Sequence, residues 1–378
     1  MDRKVKLMNE EEKGLPWYAC EGRDLDVITS SRVRLSRNLA NFPFPEFFHG
    51  DDAFRVQTLV FDSFSQLQSR EEDLHFHAVE TSTLEKNSRE LLEERGALKA
   101  LPKVLRTEVL PETGLVMTLD GCSSTTVNNR DHVRISGFKS GLSVRECFDL
   151  CSRIDRGLQK SLQFAASWDF GFLTACLKDA GSGMKLSARI HIPGSLRTGK
   201  LSVITEIASK AKLKLSPAFP LISQGSVAGN FFVLESTSCL NGTELSQIAD
   251  FEATCVLIAE TERKILKEFA ENKRTLIRNS VIRAYSIARF SLLISFKEAV
   301  DIISDIKTGL NLGLLSGIEN SMLCGLLFRV QPAHLSYLLE SGDFSFEEDI
   351  RADKRAMIDR LRALILQEAF EKISLGNL

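Results

Sequence analysis

The chain has 378 residues, of which 43% are hydrophobic and 26% charged, with a formal net charge of −2. That length accommodates two domains with separate cores, and the composition is that of a globular protein. The near-neutral balance argues against nucleic acid, no apolar run approaches the roughly 20 residues that span a bilayer, and Met1-Asp2-Arg3-Lys4 leads into charged residues rather than a secretory signal. A cytoplasmic protein with no nucleic-acid or membrane partner is expected.

Residues 1–25 are polar and read as an irregular segment. Apolar patterning predicts a strand from Asp26 to Leu35, a helix over 51–70, and strands over 74–80, 104–110, 115–120 and 125–136. Pro111-Glu112-Thr113-Gly114 reads as a turn. Ser143-Val144-Arg145-Glu146 reads as a capping box opening a helix, whose apolar stripe is Val144, Cys147, Cys151, Ile154, Leu158 and Leu162. Strict alternation from Lys185 to Ile192 predicts a strand ended by Pro193-Gly194. On it Leu186, Ala188, Ile190 and Ile192 face a core, while Lys185, Ser187, Arg189 and His191 face away. A helix near 200–213 and a strand over 229–234 follow, and from residue 243 the pattern is helical. The expected class is α+β, an antiparallel sheet flanked by helices and followed by an all-helical C-terminal domain. Its divisions are 1–25, 26–270 and 271–378.

Eight cysteines are scattered without a CxxC pair or a zinc-type Cys/His spacing. Cys147 and Cys151 lie four apart on one helix face. They read as two small buried hydrophobes, with a metal or redox role as the alternative.

The most informative stretch is Thr126-Val127-Asn128-Asn129-Arg130-Asp131-His132-Val133-Arg134-Ile135. As one strand it would place Arg130, His132 and Arg134 on one face, a cationic stripe suited to phosphate. Arg32 and Arg34 form a second pair at i, i+2, within Ser30-Ser31-Arg32-Val33-Arg34-Leu35-Ser36-Arg37-Asn38-Leu39 and ahead of Phe42-Pro43-Phe44-Pro45. Read alone, such a pair is more often a solvated face.

Together these segments resemble the bacterial protein-arginine kinases of the guanidino (phosphagen) kinase family. The resemblance extends through Cys176 and its loop to Gly181 and Gly183, and on to Arg283-Ala284-Tyr285, the stretch from Asp305 to Gly313, and Gln331-Pro332-Ala333-His334-Leu335. It implies a guanidino-kinase catalytic domain. ATP and Mg²⁺ are the implied cofactors, with Arg32, Arg34, His132, Arg134 and Lys185 as ligands of the nucleotide phosphates. Lys185 stands where the family has an arginine, which keeps the charge but loses the planar fork. No metal ligand of the protein itself is expected. The resemblance also implies a helical domain that dimerises and binds phosphoarginine, with Arg278 and Arg283 as candidate ligands. Implied partners are a second copy or an active arginine kinase, paired through that domain, a small cysteine-rich activator, and a Clp-type unfoldase–protease.

The chain departs from the family where the chemistry is done. Transfer to a guanidinium needs cations and Mg²⁺ to hold the phosphates, and carboxylates to orient the acceptor and take its proton. By resemblance the first family glutamate falls on Arg130, and the second falls near Ser223, in a segment from Ser216 to Asn230 that contains no Asp, Glu or Arg. A cation at Arg130 would repel a guanidinium ~4 Å away by about 1 kcal/mol in water and by several in a partly buried site. The reading favoured is therefore a protein-arginine kinase homologue impaired in catalysis, with a binding or regulatory role. An active kinase drawing on Asp179 or Asp131, and a phosphoarginine or phosphate reader, stay open as alternatives.

Overall fold

The computed structural model describes residues 15–71, 73–98, 113–221, 226–240 and 242–376. The predicted strand over 104–110 and most of the turn before Gly114 lie outside them. An eight-stranded antiparallel sheet forms the first part of the chain. Its strands include β1 (Ile28–Arg37), β2 (Phe76–Glu80), β3 (Gly114–Thr118), β4 (Ser123–Val127) and β5 (Val133–Ser140). The order runs β2, β3, β4, β5, β1, then the strands Met184–His191, Phe231–Ser236 and Leu213–Pro217.

Alternation gives this sheet two different faces. Val33, Leu35, Val133, Ile135, Leu186 and Ile190 are all at most 1% exposed and point to one core. Covering them are α1 (Asp52–Arg70), α3 (Val144–Leu158) and α6 (Glu244–Asn272), the last preceded in the chain by α4 (Pro193–Arg197) and α5 (Leu201–Lys210). The stripe of α3 is as the spacing predicts: Val144, Cys147, Cys151, Ile154 and Leu158 are fully buried. Burying each larger side chain contributes about 1.5–3 kcal/mol. The helix sits so close to the sheet that a Cβ at Gly137 would fall 2.8 Å from Cys147 O and 2.9 Å from Cys151 Sγ. Both thiols are raised by burial and donate to β1 carbonyls, Cys147 to Ser31 and Cys151 to Val33. The buried-hydrophobe reading fits that environment.

Two sequence expectations fail here. Ser143 makes no cap bond: its hydroxyl donates to Ser140 O, and its N–H is taken by Ser31 Oγ, so the capping box does not form. The stretch 125–136 is not one strand. The chain reverses after Val127, with Asn128 at φ 52°, and resumes at Val133 as the antiparallel partner. Five consecutive polar residues, Asn128 to His132, supply turn chemistry rather than a ladder.

The second half is helical. After α6, Lys273 interrupts the helix, and α7 (Arg274–Phe290) begins a bundle with α8 (Phe296–Asn311), α9 (Asn320–Arg329), α10 (Pro332–Ser341) and α11 (Lys354–Ala369). The bundle core reaches into the sheet region, because Trp17, Tyr18, Phe138, Phe219 and Phe231 belong to it. His191, at the end of its strand, bonds Ser304 Oγ of α8 at 2.9 Å, and Lys307 donates to Leu25 O at 2.7 Å. A short helix, α2 (Lys86–Glu94), bridges the two parts: Glu94 accepts from the Ala333 and His334 amides at the start of α10. No helix among the described residues is long and apolar enough to cross a membrane.

Candidate functional site

The sheet face opposite α3 carries the cations. Residues directly across an antiparallel pair share a face. The register places Lys185 opposite Arg34 and Arg34 opposite Ser136. It likewise sets Ser187 between Arg32 and Glu235, and Arg134 between Ser36 and Thr126. Arg32, Arg34, Arg134 and Lys185 therefore converge on a cleft of about 500 Å³. The β4–β5 turn contributes Arg130, which is exposed, and the cysteine loop contributes Cys176, Lys178 and Asp179. Residues at and just after the end of α2, among them Glu93 and Gly96, form another wall.

The cations crowd one another. Arg32 is pushed down to about 9 by burial and by the charges of Arg34 and Arg134. Arg134 is lowered to about 10 by burial and Arg34, with Arg130 adding to the repulsion and Asp131 opposing it. Part of the charge is answered internally. Arg34 pairs with Asp179 at 3.3 Å, Lys185 with Glu235 at 3.1 Å, and Arg134 lies 3.9 Å from Asp131. Arg32 donates to Ser136 Oγ at 3.1 Å. The Nε groups of Arg32, Arg34 and Arg134 are buried without a hydrogen-bond partner among the described residues. Orphaned donors of this kind are costly unless something accepts from them. A bound phosphate supplies oxygens for several at once through charge-assisted hydrogen bonds, so the donor set fits the phosphates of a nucleotide.

His132 is not among these ligands. It is fully buried under Phe48, whose ring stacks on it at 5.2 Å. Its Nδ1 accepts from Leu39 N–H at 2.9 Å, so the neutral ring carries its proton on Nε2, which donates to Pro43 O at 2.8 Å. Burial lowers it to about 4. It fastens the loop after β1, the Phe42-Pro43-Phe44-Pro45 stretch, to the β4–β5 turn. The expected alternation fails for it because the turn, not a strand, sets its direction.

Asp131 is likewise internal: Oδ1 accepts from Asn38 Nδ2 at 2.9 Å and from the Ala175 amide at 2.8 Å. It ties β1 and the cysteine loop together and does not line the cleft. Arg278 and Arg283 sit five apart on α7, about 140° around the helix axis, so they do not converge. The position near Ser223 lies outside the described residues. Glu235, Lys178 and the α2 wall were missed by sequence reasoning. Glu235 had a signal, a carboxylate directly after the apolar run Phe231 to Leu234, whereas the α2 wall had none.

A model of the ATP:guanido phosphotransferase C-terminal catalytic domain matches residues 55–265, more than half of the chain. The chain belongs to the ATP:guanido phosphotransferase family. A second family model, the protein-arginine kinase McsB C-terminal domain, matches residues 274–377. The break at Lys273 falls between the two. Among the chain's relatives, the protein-arginine kinase of Desulforamulus reducens is 27% identical over 359 residues, covering 95% of this chain and 96% of that one. That of Bacillus cereus is 28% identical over 361 residues, covering 95% and 98%. The fold is also that of solved guanidino kinases. The duplicated taurocyamine kinase from Schistosoma mansoni, with bound transition-state-analogue components, superposes with a TM-score of 0.57 at 19% identity. That match covers 66% of this chain and only 35% of the duplicated kinase. Lombricine kinase superposes with a TM-score of 0.53 at 15% identity, covering 63% of this chain and 67% of its own.

Proposed function

We propose that this phosphotransferase homologue binds a nucleotide through its phosphates but is impaired in phosphorylating a guanidinium group. The observation that carries the reading is the make-up of the cleft: Arg32, Arg34, Arg134 and Lys185 converge where Arg130 enters from the β4–β5 turn. Two of the lining carboxylates, Asp179 and Glu235, are held by Arg34 and Lys185. A substrate guanidinium would meet a cation where it needs an acid. Mg²⁺ would ride on the phosphates, as it commonly does in kinases; among the described residues no cluster of His, Cys, Asp or Glu is suited to a metal.

A second cavity of about 320 Å³ adjoins the first and shares Arg32, Glu93 and Gly96 with it. Trp17, Phe138, Phe219 and Phe328 line it, and the Arg189 guanidinium lies 5.2 Å from the ring centres of both Phe219 and Phe328. Flat aromatic walls beside a phosphate site suit a nucleotide base. An active kinase reading has one support, Asp179 in the cysteine loop, but that carboxylate would have to leave Arg34 to orient an acceptor.

The test is phosphoarginine formation from ATP-Mg²⁺ on an arginine-rich protein, analysed under non-acidic conditions beside an active relative, with ADP binding measured by calorimetry. The expected result is ADP binding that weakens at least tenfold in Arg32→Ala, together with phosphoarginine far below the control. Turnover near the control would refute the impairment; absence of ADP binding would refute the nucleotide site.

A further inference from the structure

The cleft extends past the aromatic cavity to Arg130 and Lys178. Seven charged residues line it but not the aromatic cavity: Arg34, Arg130, Arg134, Lys178, Asp179, Lys185 and Glu235. Asp179 answers Arg34 and Glu235 answers Lys185, which leaves Arg130 and Lys178 without an ion pair among the described residues. Arg134 is buried, its Nε lies 3.9 Å from Asp131 and makes no hydrogen bond among the described residues, and the charges of Arg34 and Arg130 both act on it. Arg130 itself is exposed, so its guanidinium is available to a second ligand.

We propose that this end takes an oxyanion, a carboxylate or phosphate group, as the ligand beside the nucleotide. The inference rests on the reading that Arg32, Arg34, Arg134 and Lys185 hold nucleotide phosphates, which leaves Arg130 and Lys178 for a different group. A guanidinium fork binds a carboxylate or phosphate in bidentate fashion and repels another cation. The chemistry is consistent with Asp179 and Glu235 being engaged by Arg34 and Lys185. A guanidinium must lose a proton to become a nucleophile, whereas a carboxylate or phosphate is already deprotonated at neutral pH. With ATP as donor, an acceptor oxygen would form its bond to the γ-phosphorus as the bond to the β–γ bridging oxygen breaks. ADP would leave with that electron pair, no proton would be transferred, and the product would be an acyl phosphate or a phosphoanhydride. Arg130 would shield the repulsion between acceptor and γ-phosphate, the role that cationic clamps serve in phosphoryl transfer.

The test is calorimetric titration of inorganic phosphate, acetate and free arginine into the ADP-Mg²⁺-loaded and the nucleotide-free protein, as wild type, Arg130→Glu and Arg130→Lys. Because Arg130 is exposed, neither substitution should disturb folding, and thermal melts check this. At least one anion should bind the wild type, at least tenfold more weakly to Arg130→Glu and within about threefold of wild type to Arg130→Lys. The phosphate and acetate arms distinguish the two acceptor classes. Binding of arginine to the wild type, no binding of either anion, or anion binding indifferent to Arg130→Glu would each overturn the proposal. The ADP titration is scored separately. If ADP fails to bind while anion binding keeps its dependence on Arg130, the nucleotide reading falls and the oxyanion site stands.

Discussion

Lowering the pH from 7.5 to 5 should cost this protein about 2 kcal/mol of stability through His132. The ring is fully buried, accepts a hydrogen bond from the Leu39 amide on Nδ1, and is lowered from 6.5 to about 4 by burial. Protonating Nδ1 would break that bond and place a cation under Phe48, with the bond to Pro43 O and the charges of Asp131 and Asp52 opposing the shift. The folded value lies below the unfolded one, so the contribution is complete above pH 6.5 and is lost as pH falls towards 4. The full gap corresponds to about 3.4 kcal/mol, most of it expressed by pH 5. The assay is urea unfolding at pH 7.5, 6.5, 5.5 and 5 for wild type and His132→Gln. The variant loses the Leu39 contact geometry at every pH but gains no charge. Other titrating groups cancel in the difference, so the two stabilities should converge by about 2 kcal/mol on acidification. Parallel loss in both proteins would refute the placement of His132 as a neutral internal clamp.

Asp155→Asn should destabilise the fold by about 3–5 kcal/mol, because Asp155 receives both Nε and Nη2 of the buried Arg37 at 3.0 and 3.1 Å, and the change strands that charge. Urea denaturation reads it, and a loss below about 1 kcal/mol would contradict it. Gly137→Ala should cost about 1–3 kcal/mol, since the added Cβ meets the α3 backbone, and the same assay applies. Asp179→Asn should tighten ADP binding about tenfold by releasing Arg34 from its internal counter-ion. Unchanged ADP affinity in calorimetry would show that Asp179 does not compete for that guanidinium.

Local pattern alone determined a good part of this protein. The stripe of α3 and the alternation from Lys185 to Ile192 are periodic signals, because one face of each element must be buried and the period follows from backbone geometry. The convergence of Arg32 with Arg34 was legible for the same reason: residues two apart on a strand share a face. The tertiary structure decided the rest. Whether residues 128–132 extend or turn depends on β4 and β5 pairing with each other, and that pairing turns His132 inward and Arg130 into the cleft. The pairing of Arg34 with Asp179, 145 residues away, and of Lys185 with Glu235 arises where distant segments meet, and no spacing along the chain encodes it. A sequence names its charges; only the packed sheet fixes which of them are neutralised from within and which are left to a ligand.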